Sequence, residues 1–321
     1  MPGALIAADP PLSRAVRLRR FIEAYWLRPE NALWMALRSE ALSRCPWSQR
    51  GADISCGDGL FSFLTAGGEL DPAFDVFCGV SPQLSSTADM FDHVEPDYRP
   101  PIITAPAYRV TVGTDIKPAL LAKAATLGVY DTLVRLDNES QLPFADGLFG
   151  TIYCNAAYWV HRIDAFLGEL CRICASDGRV ICQVKTTAVF DYTLDRFRDR
   201  LGSHFLDTVD RGRRGSWPSV VTQPEWDRRF ADAGLTIVGK TPVVTGTHAH
   251  IWDIGLRPLA PMLVKMAAAL SPATRRTIKR EWVDRVYDLL LPFFDPDLDL
   301  GTGARRPAEI QYELAPAAPS V

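Results

Sequence analysis

The most constraining feature of the sequence is an alternation of short strand-like segments with helical patterns over residues 51–185. Each segment of alternating or continuous apolar residues is followed by a stretch in which apolar residues recur at helical spacing. This alternation favours an α/β fold built on a mostly parallel sheet. The predicted strands are 51–56, 109–115, 132–137, 150–155 and 179–185, and the predicted helices are 60–66, 118–127 and 163–175.

The segments that flank this alternation predict additions to the core. Helical spacing over 15–44 indicates two helices divided near Pro29, which form an N-terminal helical cover within 1–50. Residues 67–108 are too many for an ordinary connection and are predicted to be an insertion. The core, 51–253, is predicted to end with a helix at 224–233, a strand at 235–241 and a β segment at 243–252. The remainder, 254–321, is predicted to be a helical extension with a loose Pro- and Ala-rich tail.

Composition narrows the class of protein. Hydrophobic residues make up 47% of the chain and charged residues 23%, which is typical of a globular protein. The net charge of -3 argues against nucleic acid as a partner, because phosphate binding leaves a basic footprint. No apolar run approaches the roughly 20 residues that cross a bilayer, so we expect no stable membrane insertion. Seven cysteines and the absence of a secretory pattern predict a cytoplasmic location.

A glycine-containing turn follows the first predicted strand. The segment 52–61 reads Ala-Asp-Ile-Ser-Cys-Gly-Asp-Gly-Leu-Phe, in which Gly57 and Gly59 precede a helix. Glycine lets the backbone approach a ligand closely at a helix N-terminus. By itself such a turn is a weak indication of a ligand site.

Four further motifs follow in order, and together with the turn they resemble the class I S-adenosylmethionine-dependent methyltransferases. The residues 53–59 are similar to the first motif of that family and 113–116 to the acidic end of its second strand. The later motifs are 137–144, which ends Leu-Pro-Phe, then 149–155, and 167–173 with Asp-Gly-Arg at 177–179. The resemblance covers about half of the chain. It implies a Rossmann-like, mostly parallel seven-stranded sheet with helices on both faces, with S-adenosylmethionine as cofactor.

The resemblance also implies roles for individual residues. Asp115 would accept hydrogen bonds from both ribose hydroxyls, and Gly57 and Gly59 would admit the ribose and the amino acid portion of the cofactor. Asn155 would face the methionine portion and the methyl group. The other residues of the implied cofactor site are Asp53, Ser55, Ile116, Asp137 and Asn138, of which the last two would flank the adenine. All of them follow or end parallel strands, where open α/β sheets bind ligands.

Two departures from the family pattern affect this assignment. Ser55 stands where the family usually has its first glycine, and the insertion places Asp115 unusually far from Gly59. Asp71 and Asp75 lie nearer in sequence and are competing choices for the ribose carboxylate. Asp115 is preferred because it ends a predicted strand and precedes a predicted helix.

Histidines supply the candidates for a general base. His161, just beyond the fourth predicted strand, is the first, because a neutral imidazole accepts a proton near pH 7. A packing or capping role is the alternative for this residue. His248 and His250 would share one face of a strand, but no third metal ligand accompanies them at a recognisable spacing. We therefore predict no metal site.

Two other motifs have plain structural interpretations. Cys171 and Cys174 have the spacing of redox and zinc motifs, but they lie on the apolar face of a predicted helix without a second cysteine pair. The arginines at 211, 213 and 214 could bind phosphate or carboxylate, although a solvated loop is the simpler interpretation.

The functional hypothesis is a methyltransferase that acts on an O, N or C atom of a small molecule. Aromatic residues beyond the fifth strand favour an apolar or amphipathic acceptor. One alternative is a methyltransferase-like partner protein without catalysis. Another is a nicotinamide-dependent oxidoreductase, but Ser62 stands where the third glycine of that fingerprint should be. The C-terminal extension is left open as a lid, a homodimer surface or a membrane contact.

Overall fold

A seven-stranded sheet forms the centre of the protein. The computed structural model describes residues 5–6, 12–78, 94–210, 214–253, 259–295, 297–298 and 306–317. The strands are β1 (Gly51–Ile54), β2 (Val110–Asp115), β3 (Tyr130–Arg135), β4 (Phe149–Cys154), β5 (Cys174–Lys185), β6 (Leu235–Val244) and β7 (Glu309–Pro316). Their order across the sheet is β6-β7-β5-β4-β1-β2-β3. The predicted α/β fold with a mostly parallel sheet is confirmed.

The register at the centre of the sheet aligns the ends of three strands. β1 is buried along its length and pairs in parallel with β2 and with β4. Ile54, its last residue, lies opposite Thr114 of β2 and Cys154 of β4. The chain segments that leave these strands therefore meet at one edge of the sheet, where the predicted site residues are found.

The C-terminal tail contradicts its prediction. Instead of being loose, its strand β7 pairs antiparallel with both β5 and β6. Ile310, Tyr312 and Leu314 alternate along β7 and are each at most 2% exposed. This alternation is short, and the surrounding prolines and alanines make it difficult to recognise as a strand in the sequence. The sheet therefore takes its seventh strand from beyond the predicted core.

The β segment predicted at 243–252 is also wrong. β6 ends at Val244, and helix α10 (Gly246–Asp253) follows. His248 folds back so that its Nδ1 accepts a hydrogen bond from the Thr245 amide at 3.2 Å, which satisfies a donor at the start of the helix. His248 and His250 therefore do not share the face of a strand.

Helices pack on the central sheet. The two predicted N-terminal helices are confirmed as α1 (Arg14–Ala24), capped by Ser13, and α2 (Pro29–Leu42), which starts at a proline. The helices that connect the strands are α3 (Leu60–Thr65), α4 (Pro118–Ala124), α5 (Ile163–Ile173) and α9 (Gln223–Asp232). Between β5 and α9 lie three short helices, α6 (Ala188–Tyr192), α7 (Arg198–Leu201) and α8 (Ser203–Asp210).

The Asp75 carboxylate links the insertion to the C-terminal extension. The extension contains α11 (Ala260–Ala268) and α12 (Pro272–Leu290). Asp75 of the insertion accepts hydrogen bonds from Trp26 Nε1 at 3.0 Å and from Arg275 Nε at 2.7 Å. Asp75 is therefore engaged in structural contacts with α12 and with the turn after α1. Residues 79–93 of the predicted insertion lie outside the described residues, and no helix in the described part of the chain could span a membrane.

Burial of the tail strand leads to a stability prediction. Leu314→Ala should lower the free energy of unfolding by about 2 to 5 kcal/mol, because the side chain is fully buried. Leu289→Ala, at a position 67% exposed on α12, should change it by less than about 0.5 kcal/mol. Urea unfolding of both variants measures the difference. Equal effects would show that the tail is not packed in solution.

Candidate cofactor site

Two glycines shape the turn between β1 and α3. Gly57 and Gly59 have φ angles of 60° and 75°, in the left-handed region that glycine adopts without strain. A Cβ on Gly59 would lie 3.0 Å from both Ala124 Cβ and Tyr130 Cε2. A Cβ on Gly57 would meet nothing within 4 Å. Gly59 therefore permits close packing of the turn, whereas Gly57 faces open space.

Asp115 is held against this turn at the end of β2. Its Oδ2 accepts a hydrogen bond from the Gly57 amide at 3.1 Å, and its Oδ1 accepts one from the Lys117 amide at 2.9 Å. The carboxylate is only partly buried, so each oxygen keeps acceptor capacity toward the open side. This arrangement fixes an anionic bidentate acceptor beside Gly57.

Ser55 is strained, and its side chain explains why a serine is useful there. Its φ of 64° is the one positive value among the non-glycine residues that the structure describes. Its Oγ accepts a hydrogen bond from Asn138 Nδ2 at 2.8 Å, and its amide donates to Thr114 Oγ1 at 3.3 Å. The hydroxyl thus connects the turn after β1 to the segment after β3. A glycine would relieve the strain but remove this bridge.

The predicted adenine residues differ in position. Asn138 is brought to the turn by its bond to Ser55. Asp137 is exposed, and its Oδ1 accepts a hydrogen bond from the Glu139 amide at 3.0 Å. Ile116 is 50% exposed and follows Asp115 directly. Asn138 and Ile116 therefore leave a polar and an apolar group beside the carboxylate.

Asp53 supports the turn from inside the protein. Its Oδ2 accepts hydrogen bonds from Ser62 Oγ at 2.5 Å and from the Tyr130 hydroxyl at 2.6 Å. Burial raises the pKa of Asp53 to about 6, although both hydrogen bonds act to lower it. The side chain joins β1, α3 and β3 and is only 2% exposed, so it acts on the site through the turn that it holds.

Asp58 was given no role by the sequence analysis, yet it lies between the two glycines. Its Oδ1 accepts a hydrogen bond from the Leu60 amide at 3.1 Å, and burial raises its pKa. The pKa values of Tyr25, which follows α1, and of Tyr98 in the insertion are raised. The main cause is burial, and the negative charge of Asp58 adds to it. Both additions to the core therefore reach the glycine-containing turn. The signal available in the sequence was the position of Asp58 inside the first motif.

Asn155 and His161 lie in the segment that follows β4. Asn155 follows β4, is partly exposed and interacts with the Tyr153 hydroxyl. The side chain of His161 is 77% exposed. Glu139 holds this histidine, since its Oε1 accepts the His161 amide at 2.6 Å and lies 3.3 Å from Nδ1. The histidine is thus oriented at the surface by Glu139, the residue next to Asn138 in the chain.

One family model matches part of the chain. Residues 102–182 match the family model described as a methyltransferase domain. This segment of the chain is similar to a methyltransferase domain. The match covers about a quarter of the chain and begins beyond the glycine-containing turn. No curated protein matches the chain.

Solved structures that are similar to the chain share little sequence with it. An S-adenosylmethionine dependent methyltransferase from Mesorhizobium loti is 13% identical, with 83% of this chain and 89% of that chain covered and a TM-score of 0.42. A TehB-like SAM-dependent methyltransferase from Corynebacterium glutamicum is 11% identical, with coverages of 88% and 86% and a TM-score of 0.39. The [4+2]-cyclase SpnF is 15% identical, with coverages of 88% and 82% and a TM-score of 0.45.

The metal and redox alternatives gain no support from the geometry. Within the described residues, no group of three or more His, Cys, Asp or Glu side chains could hold a metal ion. Cys174 is buried, and burial raises its pKa to about 12. Cys171 donates to the Gly234 carbonyl at 3.4 Å. Of the arginine cluster, residues 211–213 lie outside the described residues.

Replacement of Ser55 separates backbone strain from the hydroxyl bridge. Ser55→Gly should relieve about 1 kcal/mol of strain and lose the bond to Asn138, so its free energy of unfolding should stay within about 1 kcal/mol of wild type. Ser55→Ala keeps the strain and loses the bond, and should be about 1 kcal/mol less stable than Ser55→Gly. Chemical denaturation measures both. Greater stability of the alanine variant would refute the strained backbone.

Asp53 should make stability depend on pH with a defined sign. Its pKa is raised in the folded state, so the stability it contributes is present below about pH 4 and is lost as pH rises through about 6. The stability of Asp53→Asn relative to wild type should therefore rise by about 2 kcal/mol between pH 4 and pH 7.

Denaturant unfolding at several pH values measures this change. Asp199→Asn, at an exposed carboxylate on α7, is the control and should show a much smaller change over the same range. A flat difference between Asp53→Asn and wild type would contradict the raised pKa.

Proposed function

We propose that this protein transfers the methyl group of S-adenosylmethionine to an O, N or C atom of a small apolar or amphipathic molecule. The observation that carries the proposal is the Asp115 carboxylate, fixed by the amides of Gly57 and Lys117 at the edge of a methyltransferase domain. The ribose of the cofactor carries two adjacent hydroxyl groups, and a carboxylate can accept one hydrogen bond from each of them.

The other residues at this edge fit the remaining parts of the cofactor. The open side of Gly57 leaves room for the ribose and the amino acid portion. Asn138 supplies amide hydrogen-bonding groups and Ile116 an apolar surface for an adenine. Asn155, which follows the neighbouring β4, is the residue we assign to the methionine portion. When bound, S-adenosylmethionine supplies an electrophilic methyl carbon, which bonds to the acceptor as its bond to sulfur breaks and leaves the electron pair on sulfur.

The contribution of the protein to such a displacement is mainly positioning. A general base is needed only where the acceptor retains a proton. His161 is our candidate in that case, and Glu139 orients its ring. The acceptor side of the sheet edge is rich in buried aromatic rings, which supports an apolar or aromatic portion in the acceptor. These rings are Trp34, Tyr158, Trp217 and Trp252.

Calorimetric titration with S-adenosylhomocysteine tests the cofactor assignment. Wild type should bind it in the micromolar range and should not bind NAD. Asp115→Ala should bind about 10- to 100-fold more weakly, because two charge-assisted hydrogen bonds to the ribose are lost. Asp131→Ala, which removes an exposed carboxylate on β3, should bind like wild type. Unchanged affinity in Asp115→Ala would refute the ribose assignment, and no binding by wild type would refute the proposed function.

A further inference from the structure

A buried charged cluster that the cofactor residues do not use lies between α2 and the sheet. We call Arg38, Tyr158, Lys185 and Glu309 the Glu309 cluster. Arg38 binds the Glu309 carboxylate through Nε at 2.5 Å and through Nη2 at 2.7 Å. Lys185 Nζ lies 2.8 Å from Glu309 Oε2, and Arg38 Nη2 donates to the Tyr158 hydroxyl at 3.1 Å. All four side chains are buried and at most 7% exposed.

The cluster lies at the ligand-binding edge of the sheet. Lys185 is the last residue of β5, and Glu309 is the first residue of the antiparallel β7, paired directly with Lys185. Tyr158 comes three residues after Asn155, in the turn that follows β4. The cluster is therefore on the side of β4 away from Asp115, where an acceptor would approach the methyl group.

The charges of the cluster do not balance. Arg38 and Lys185 are the two basic side chains of the cluster, and Glu309 is the one carboxylate that forms ion pairs with them in the described part of the chain. Burial lowers the pKa of Lys185, although Glu309 and Tyr158 act to raise it. Burial opposes ionisation of Glu309, but Arg38 and Lys185 lower its pKa to about 2, so it is ionised near neutral pH. An unbalanced buried cation is costly unless an anion or a strong acceptor joins it. The cluster thus favours one additional negative charge.

The Tyr158 hydroxyl is the group through which such a charge can be bound. Its oxygen accepts the hydrogen bond from Arg38, and no acceptor for its own hydrogen is found among the described residues. Burial opposes ionisation of Tyr158, but Lys185 and Arg38 outweigh it and lower the pKa of the phenol. A more acidic hydroxyl is a stronger donor to an anionic oxygen.

Aromatic rings form the walls around the ammonium group. Lys185 Nζ lies 3.9 Å from the ring centroid of Trp34, 5.4 Å from that of Trp217 and 5.7 Å from that of Trp252. The Trp217 ring also stands edge-on to Tyr158 at 6.0 Å. These walls complement a flat apolar ring, whereas the cations and the phenol complement an oxygen anion on that ring.

We propose that the Glu309 cluster binds the acceptor, and that this acceptor is a phenol whose deprotonated oxygen is held by Tyr158, Lys185 and Arg38. The proposal rests on the methyltransferase function proposed above and narrows its substrate class. Such an acceptor enters as the phenolate, its proton having passed to solvent, so methylation requires no further base.

The probe for this site is 4-nitrophenol, whose phenolate is coloured and whose neutral form is not. The full chain, saturated with S-adenosylhomocysteine, is titrated with the probe from about pH 5 to about pH 9. Wild type should bind the phenolate at least about tenfold more tightly than the phenol, which lowers the pKa of the bound probe by about one unit. Tyr158→Phe and Lys185→Met should each reduce this preference to less than about threefold.

Matched controls distinguish this site from a general loss of charge or hydroxyl groups. Lys240→Met removes a lysine that pairs with Asp227 at 2.7 Å, and Tyr287→Phe removes a hydroxyl on α12, so both should keep the full preference. Binding of S-adenosylhomocysteine by each variant verifies that it has folded.

The outcomes separate the two proposals. Three outcomes would overturn the acceptor assignment alone, provided that S-adenosylhomocysteine binds normally. The probe could fail to bind, it could bind without a shift of its pKa, or it could show the same shift in Tyr158→Phe and Lys185→Met as in wild type. Failure of wild type to bind S-adenosylhomocysteine would overturn the proposed function and the acceptor assignment with it.

Discussion

The parallel pairing of β1 with β2 and β4 is the constraint on which the cofactor site depends. Because Ile54 lies opposite Thr114 and Cys154, the chain leaves all three strands at the same level. Ser55, Asp115 and Asn155 are then neighbours although they are far apart in sequence. The amide of Gly57 reaches Asp115 only in this register, since a shift by one residue would turn the carboxylate to the other face of the sheet.

Much of this arrangement could be predicted from local sequence. The core strands and the two N-terminal helices follow from apolar periodicity, and Asp115 ends a strand beside the turn, as its sequence context predicts. Asp75, its competitor, is occupied by Trp26 and Arg275 instead. The prediction failed where the pairing partner is distant. β7 pairs with β5 across more than a hundred residues, and a short pattern in a Pro- and Ala-rich tail does not reveal such a partner.

The contacts within the site were less predictable than its location. Asn138 bonds to Ser55 over a separation of 83 residues, and Arg38 bonds to Glu309 over 271. Spacing carries no information about either bond, because each depends on the order of strands in the sheet. The strain at Ser55 was equally invisible, although the substitution of serine for the usual glycine indicated the position to inspect. Helix α10 was missed because its β-branched and aromatic residues resemble those of a strand, whereas tertiary contacts determine its structure.

Glu309 connects the completion of the sheet with the proposed acceptor site. Glu309 begins the strand that completes the sheet, and it also gathers Arg38 from α2 and Lys185 from β5. Buried ion pairs contribute little net stability, because desolvation offsets most of their attraction, and an apolar cluster of the same volume would stabilise the fold at least as well. Stability alone therefore does not account for two buried cations around one carboxylate. A requirement to place positive charge beside the Tyr158 hydroxyl accounts for the cations, for the aromatic walls and for their position at the carboxyl ends of the strands.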